Sequence, residues 1–324
     1  MISKPNWLKI RPPTGTGIQT YANVKSTIKT LELVTVCEEA KCPNISECWS
    51  KGTATFMVMG DTCTRGCKFC YVKTARTGNT LDLLEPIKLA SAIKKYNLSY
   101  VVITSVDRDD LDDQGAGHFA KCIKVAKEKN PSLIVEVLIP DFRANTNCLD
   151  TIIKAKPDVI AHNIETVKEL QRKVRDVRAN YEQSLSVLKY VKKVSPKTVT
   201  KSSIMIGLGE TKKQVYTTMN DLLSVGVQAL TIGQYLQPSK MHLAVTQYVH
   251  PTTFEEYKVQ GEKKGFLYVA SGPFVRSSYR AGEYYLKNII KKEKKNVGET
   301  NTFSQTGEIK VSPDFANEGK KNNA

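Results

Sequence analysis

The sequence predicts an α/β fold: an open, partial (β/α)6 barrel of the TIM type, with an N-terminal extension and a polar C-terminal tail. Three observations lead there. From Thr53 onward, short apolar runs alternate with amphipathic helical stretches, the mark of parallel βαβ units. Six such units can be counted, too few to close the usual eight-stranded barrel. The chain has 324 residues, 40% of them hydrophobic, enough for one large domain with extensions.

Strands are expected at residues 53–59, 100–106, 133–139, 159–163, 202–208 and 229–235. Helices are expected between them, at 86–96 with Pro86 in the first turn, 117–129, 146–155, 166–175 followed by 181–194, and 211–225. This divides the chain into an extension at 1–52, a barrel with a serine-containing segment at 53–290, and a tail at 291–324. The tail is Lys, Asn, Glu, Gly and Ser with scattered apolar residues, a composition that predicts disorder. Residues 1–31 carry no acidic side chain and several Lys, Thr and Ser, a pattern shared with organelle targeting segments. Pro12-Pro13-Thr-Gly-Thr-Gly is a loop by composition.

No apolar run is long enough to span a bilayer and no signal-peptide pattern is present, which predicts a soluble chain without a membrane partner. The net charge is +16. The tail adds little to it, since seven Lys stand against five Asp plus Glu there, so the excess belongs to the body. Such a surface attracts anionic partners, or it is a solvated lysine coat. No helix-turn-helix, zinc-finger or RNA-binding signature accompanies the charge, so no nucleic-acid partner is expected.

Six of the eight cysteines lie between Cys37 and Cys70, in two groups of three: Cys37, Cys42 and Cys48, then Cys63, Cys67 and Cys70. A long chain without an export signal argues against a disulfide framework. Three thiolates in one loop suit a four-iron cluster that keeps one iron open, and two such groups suggest two [4Fe–4S] clusters. A zinc knuckle drawing a fourth ligand from elsewhere is the competing reading, because C-x2-C has zinc-like spacing. The second triad follows the first barrel strand, on the loop where parallel barrels place their reacting groups. Cys122 and Cys148 fall on apolar helical faces and read as core. His118 and His162 read as hydrogen-bonded structural residues.

The second triad, C-x3-C-x2-C with Phe69 before its last cysteine, resembles the signature of radical S-adenosylmethionine enzymes. The first triad, C-x4-C-x5-C, is followed by Gly52-Thr-Ala-Thr-Phe-Met57 and Gly60-Asp-Thr-Cys-Thr-Arg65, and this combination resembles the lipoyl synthase family. The resemblance runs from about Pro5 to about Leu286. The segments at 113–119, 174–180 and 280–285 are similar to organellar members, which implies a mitochondrion, or else a plastid, or the cytoplasm of a bacterium.

What the resemblance implies is specific. Cys63, Cys67 and Cys70 would hold the cluster that binds and splits S-adenosylmethionine. Cys37, Cys42 and Cys48 would hold a sulfur-donating auxiliary cluster, with Ser278 of Arg276-Ser-Ser-Tyr279 as fourth ligand. Two sulfurs would enter at carbons 6 and 8 of an octanoyl chain on a carrier lysine, each after hydrogen abstraction by a 5′-deoxyadenosyl radical. The implied partners are octanoylated lipoyl domains of 2-oxoacid dehydrogenase complexes and of the glycine cleavage system, a ferredoxin-type electron donor, and a cluster assembly or carrier protein. Two alternatives remain: another two-cluster radical enzyme that inserts sulfur, or a zinc-stabilised binding protein without catalysis.

Three strand-end loops offer further contacts: residues 104–110, 163–166 and 207–211. Their hydroxyl, amide and carboxylate groups suit the methionyl amine and ribose of S-adenosylmethionine, and equally suit helix capping. The resemblance favours ligand contact for Thr104, Ser105, Asn163 and Glu165.

Overall fold

The computed structural model describes residues 3–9, 17–51 and 54–278. The expected tail at 291–324 lies outside these residues, as does Tyr279 of the serine segment.

In chain order the extension supplies helix α1 (Gly17–Thr30), strand β1 (Val34–Thr35) and the short helices α2 (Val36–Glu39) and α3 (Ile45–Ser50). Strand β2 (Thr55–Val58) begins the barrel, and a small ribbon, β3 (Thr62–Cys63) with β4 (Lys73–Thr74), brackets the second cysteine triad. Then α4 (Glu85–Lys95), β5 (Tyr100–Ser105), α5 (Ala116–Lys129), β6 (Ile134–Leu138), α6 (Thr146–Lys154) and β7 (Val159–Ala161) alternate. They are followed by α7 (Gln171–Val174), α8 (Tyr181–Val194), β8 (Val199–Ile206), α9 (Lys212–Ser224), β9 (Ala229–Gln234), α10 (Pro251–Lys264) and β10 (Tyr268–Gly272).

The sheet order is β1-β2-β5-β6-β7-β8-β9-β10, with β1 antiparallel to β2 and every other pairing parallel. Its end strands β1 and β10 do not pair, so among the described residues the barrel is open as expected. It holds seven parallel strands rather than six. The pair α10 and β10 was not legible, because α10 has Gln, Glu and Lys on most of its surface and buries only Phe254, Tyr257 and Gly261. Its ends are nonetheless well marked: His250 caps it, Pro251 fills the first turn, and Gly265 takes the left-handed C-cap at φ 113°. The helix expected at 166–175 is a 3-10 turn, Lys168–Leu170, running into the short α7, since Val167 before it is extended. Asn180 caps α8, Asn145 caps α6, and Thr211 with Gln214 forms a complete capping box on α9.

Side chains alternate across the strands. Val101, Ile103, Val135 and Val137 face the helices and form one core with Phe119, Ile123 and Leu149. The other set faces the barrel interior. At its floor Lys201 Nζ lies 2.6 Å from Glu136 Oε1, with both side chains 1% exposed, and the Tyr100 hydroxyl donates to the other oxygen of Glu136. Trp49, Val24, Ile28 and Leu33 of the extension belong to the same core as β2 and β5. No described helix is long and apolar enough to cross a membrane.

The floor pair makes a stability prediction. Lys201→Met leaves a buried carboxylate uncompensated and should cost about 3–5 kcal/mol in urea unfolding of the metal-free chain. Adding Glu136→Leu should recover most of that loss. A double variant as unstable as the single one would show that the cost comes from packing and not from charge.

Candidate functional site

Above the floor, the inward residues Met57, Thr104, Leu138, Ser203 and Met205 border a cavity of about 500 Å³ at the C-terminal ends of the strands. Cys63, Cys67 and Cys70 line one side of it, while Cys42, Ser277 and Ser278 line another. Cys42 of the first triad therefore meets the second triad at one cavity, although the sequence separates the two groups by a whole strand.

The radical-type loop leaves β2 through a sharp turn in which Met59 (φ 70°) and Gly60 (φ 86°) are both left-handed. The Glu85 carboxylate fixes this turn by accepting the Met59 N–H at 3.0 and 3.2 Å, and His118 Nε2 lies 2.6 Å from the same carboxylate. The loop folds around Arg65, which is 3% exposed. Its Nε and second terminal nitrogen bind the two oxygens of Asp109 at 2.8 and 2.9 Å, and its other terminal nitrogen binds Asp141 at 2.7 Å. Asp107 stands 3.3 Å from the same nitrogen. Burial pushes Asp109 and Asp141 up, but Arg65 pulls harder, and both carboxyls end below their ordinary range. Asp107, where burial wins, is pushed up to about 6.

Backbone N–H groups already point at the sulfurs: that of Arg65 at Cys63 Sγ (3.4 Å) and that of Asp176 at Cys67 Sγ (3.3 Å). Burial pushes the thiols of Cys63 and Cys67 up to about 12 and that of Cys70 up to about 11. Without a cation these positions hold protonated thiols, and iron would have to displace the protons. Three convergent thiols without a fourth protein ligand on the loop suit a cluster with one open iron.

In the first triad, burial and the neighbouring Cys42 push Cys37 up to about 12. The Thr55 backbone N–H favours its ionised form, and the indole nitrogen of Trp49 is buried without a hydrogen-bond partner. Thr55 Oγ1 also donates to Ser278 Oγ at 3.0 Å, so the residue whose N–H faces Cys37 also holds that hydroxyl. Asn44 Nδ2 donates to Phe274 O at 2.7 Å and fastens the serine segment to the Cys42–Cys48 loop. The set of three thiols and one serine hydroxyl is chemically able to hold a second cluster.

Thr104, Ser105, Asn163 and Glu165 all border the cavity, and none of them caps a helix. Thr104 Oγ1 donates to Leu138 O at 3.1 Å. Ser105 Oγ and Asn163 Oδ1 are buried without a partner, as expected of groups that bind a polar ligand. Asn163 Nδ2 donates to Glu165 Oε1 at 3.1 Å. Glu165 is left-handed (φ 66°), and burial raises its carboxyl against the pull of Arg175. The third loop differs: Glu210 accepts the N–H groups of Gly207 and Leu208 at 2.6 and 2.9 Å, and Thr211 caps α9. Its polar groups serve the backbone and do not face the cavity.

Sequence reasoning passed over Arg65, Asp107 and Arg175. Arg65 sits inside the triad and Asp107 inside the loop at 104–110, so both carried a positional signal. Arg175 ends α7 like many solvated arginines, and only the fold brings it to the cavity. Cys122 and Cys148 are buried as expected, with Cys122 beside Glu85 and His118. His162 bonds Ile139 O and Ser184 Oγ, each at 2.9 Å, and burial lowers it to about 4, so it is neutral and structural.

The barrel and its three-cysteine loop define a radical S-adenosylmethionine enzyme, and residues 57–222 match the model of the radical SAM superfamily. Residues 2–42 match the model of the N-terminal domain of lipoyl synthase. The chain belongs to the lipoyl synthase family. It is 56% identical over 297 residues to the mitochondrial lipoyl synthase of Schizosaccharomyces pombe, covering 90% of this chain and 80% of that one. It is 53% identical over 296 residues to the apicoplast lipoyl synthase of Plasmodium falciparum, covering 90% and 71%. The FeFe-hydrogenase maturase HydG of Carboxydothermus hydrogenoformans shares the fold alone, with a TM-score of 0.53 at 10% identity over 85% of this chain and 84% of that one. With the family come S-adenosylmethionine and a [4Fe–4S] cluster, and the named relatives are organellar.

The Arg65 network sets a pH dependence. Arg65→Met should destabilise the metal-free chain by about 3–5 kcal/mol at pH 7, since it strands buried carboxylates. Asp109 and Asp141 have folded pKa values below their unfolded ones, so their contribution is present above the ordinary carboxylate range. It is lost as pH falls through and below about 4. The gap between wild type and variant should therefore narrow between pH 7 and pH 3 in urea titrations. A constant gap would remove the electrostatic explanation.

Proposed function

We propose that this chain makes the lipoyl cofactor in place, inserting two sulfurs at carbons 6 and 8 of an octanoyl group carried on a lysine of a lipoyl domain. The observation that carries the reading is the cavity that Cys42, Ser277 and Ser278 share with Cys63, Cys67 and Cys70. When bound, S-adenosylmethionine and its cluster supply a 5′-deoxyadenosyl radical, and an auxiliary cluster supplies sulfur.

The chain's own residues bind, orient and exclude water. Cys63, Cys67 and Cys70 hold the first cluster, and Cys37, Cys42, Cys48 and Ser278 the second. A serine oxygen is a harder, less usual ligand to iron than thiolate, which suits a cluster that must be opened. Ser105 Oγ and Asn163 Oδ1 supply the hydrogen-bonding partners for the polar end of S-adenosylmethionine, with Glu165 and Thr104 beside them. Val106, Leu138 and Ile139 give the cavity apolar walls, which shield a reactive radical from water. The proposed partners are octanoylated carriers of 2-oxoacid dehydrogenase complexes and of the glycine cleavage system, a ferredoxin-type donor and a cluster carrier. The proposed location is the mitochondrion.

Division of labour is testable. Cys67→Ala should abolish reductive cleavage of S-adenosylmethionine, followed as 5′-deoxyadenosine. Cys42→Ala should keep that cleavage yet give no thiolated octanoyl product. About eight irons per chain with matching sulfide are expected after anaerobic reconstitution, and about four in each variant. Lipoyl product from both variants would sink the assignment, and two zincs without sulfide would favour a binding protein.

A further inference from the structure

The loop from Cys63 to Cys67 alternates: Cys63, Arg65 and Cys67 face the cavity, whereas Thr64 and Gly66 border a separate shallow cleft on the outer side. Thr74, Ala75, Arg76 and Arg178 complete that cleft, which shares no residue with the cavity. Gly66 is exposed and adjoins Cys67 directly. Its N–H is bound by Asp176 at 2.8 Å, and the N–H of Asp176 points at Cys67 Sγ. The outer cleft thus reaches within one residue of a cluster ligand by a route that avoids the substrate cavity.

Its rim is cationic. Lys73 and Arg76 are exposed. Arg143 and Arg178 are 51% and 38% exposed and converge on Asp109. Arg172 donates to Val177 O at 3.0 Å, and Val177 itself is 72% exposed. Of the carboxylates nearby, Asp109 and Asp176 are 4% and 10% exposed and already bound by arginines, while Glu39 and Asp61 lie beside Lys73.

We infer that this outer face docks the reductant, an acidic one-electron carrier protein. The inference rests on the function proposed above. One electron leaves the donor, which is oxidised, and reduces the [4Fe–4S] centre held by Cys63, Cys67 and Cys70 from its 2+ to its 1+ state; no bond or proton is exchanged. A small acidic surface fits a cleft bordered by Arg76 and Arg178, with the exposed Lys73 next to its lining residue Thr74, as in steered, transient redox encounters. The octanoylated carrier has its own approach, because its arm must enter the cavity on the other side of the loop.

The test uses reconstituted, full-length enzyme, with an acidic plant-type [2Fe–2S] ferredoxin as probe and dithionite as the small-molecule comparison. Lys73→Glu/Arg76→Glu should slow ferredoxin-driven cleavage of S-adenosylmethionine at low salt by about tenfold or more. Dithionite-driven cleavage should be unchanged, and Lys263→Glu on α10 should behave as wild type in both. Equal ferredoxin-driven rates for the double variant and wild type would overturn the docking face. So would a selective loss of binding to an octanoylated lipoyl domain, which would assign the face to the substrate carrier. Wild-type enzyme that fails to cleave S-adenosylmethionine even with dithionite would refute the functional reading, and this inference with it.

Discussion

The buried guanidinium of Arg65 is the constraint on which the site depends. It lies within the cysteine loop, yet its partners come from two other strand ends, Asp107 and Asp109 after β5 and Asp141 after β6. A lysine could not replace it, because the planar fork engages Asp109 with two parallel bonds while a third nitrogen reaches Asp141. Arg143 and Arg178 then bind Asp109 from outside, so that carboxylate is shared among three arginines. A loop that would otherwise be free to wander is thereby tied to the scaffold by charge.

The interior is layered in a consistent way. The floor is polar but internally satisfied, through Tyr100, Glu136 and Lys201. The upper layer contains polar groups that are not satisfied, Ser105 Oγ and Asn163 Oδ1. Burying a polar group without a partner costs roughly 1–3 kcal/mol, and two such groups border the cavity. The contrast between floor and roof separates structure from function inside a single barrel.

Much of this was legible in the sequence, for stated physical reasons. The apolar strands β2 and β5 to β9 and the long helices declared themselves by period, with Pro86 marking the start of α4. The cysteine spacings singled out the two loops that carry the triads. What the sequence withheld was whatever depends on long-range pairing. The last strand, β10, was obscured by the polar surface of α10. By side-chain chemistry alone Glu210 and Thr211 looked as suitable for a ligand as Asn163 and Glu165; in the fold the latter pair borders the cavity and the former does not. Arg175 was hidden for the same reason.

The two cysteine sites also differ in what the chain must accomplish before each exists. Cys63, Cys67 and Cys70 lie on one short loop, so that ligand set is available as soon as β2, β5 and β6 have gathered around Arg65. The other set closes across the molecule: Thr55 meets Ser278 over 223 residues, and Asn44 meets Phe274 over 230. A contact of that span forms only after the last barrel strand is in place. In the proposed assignment, one ligand set is therefore held within a single loop, while the other is completed only by contacts that tie the two ends of the barrel together.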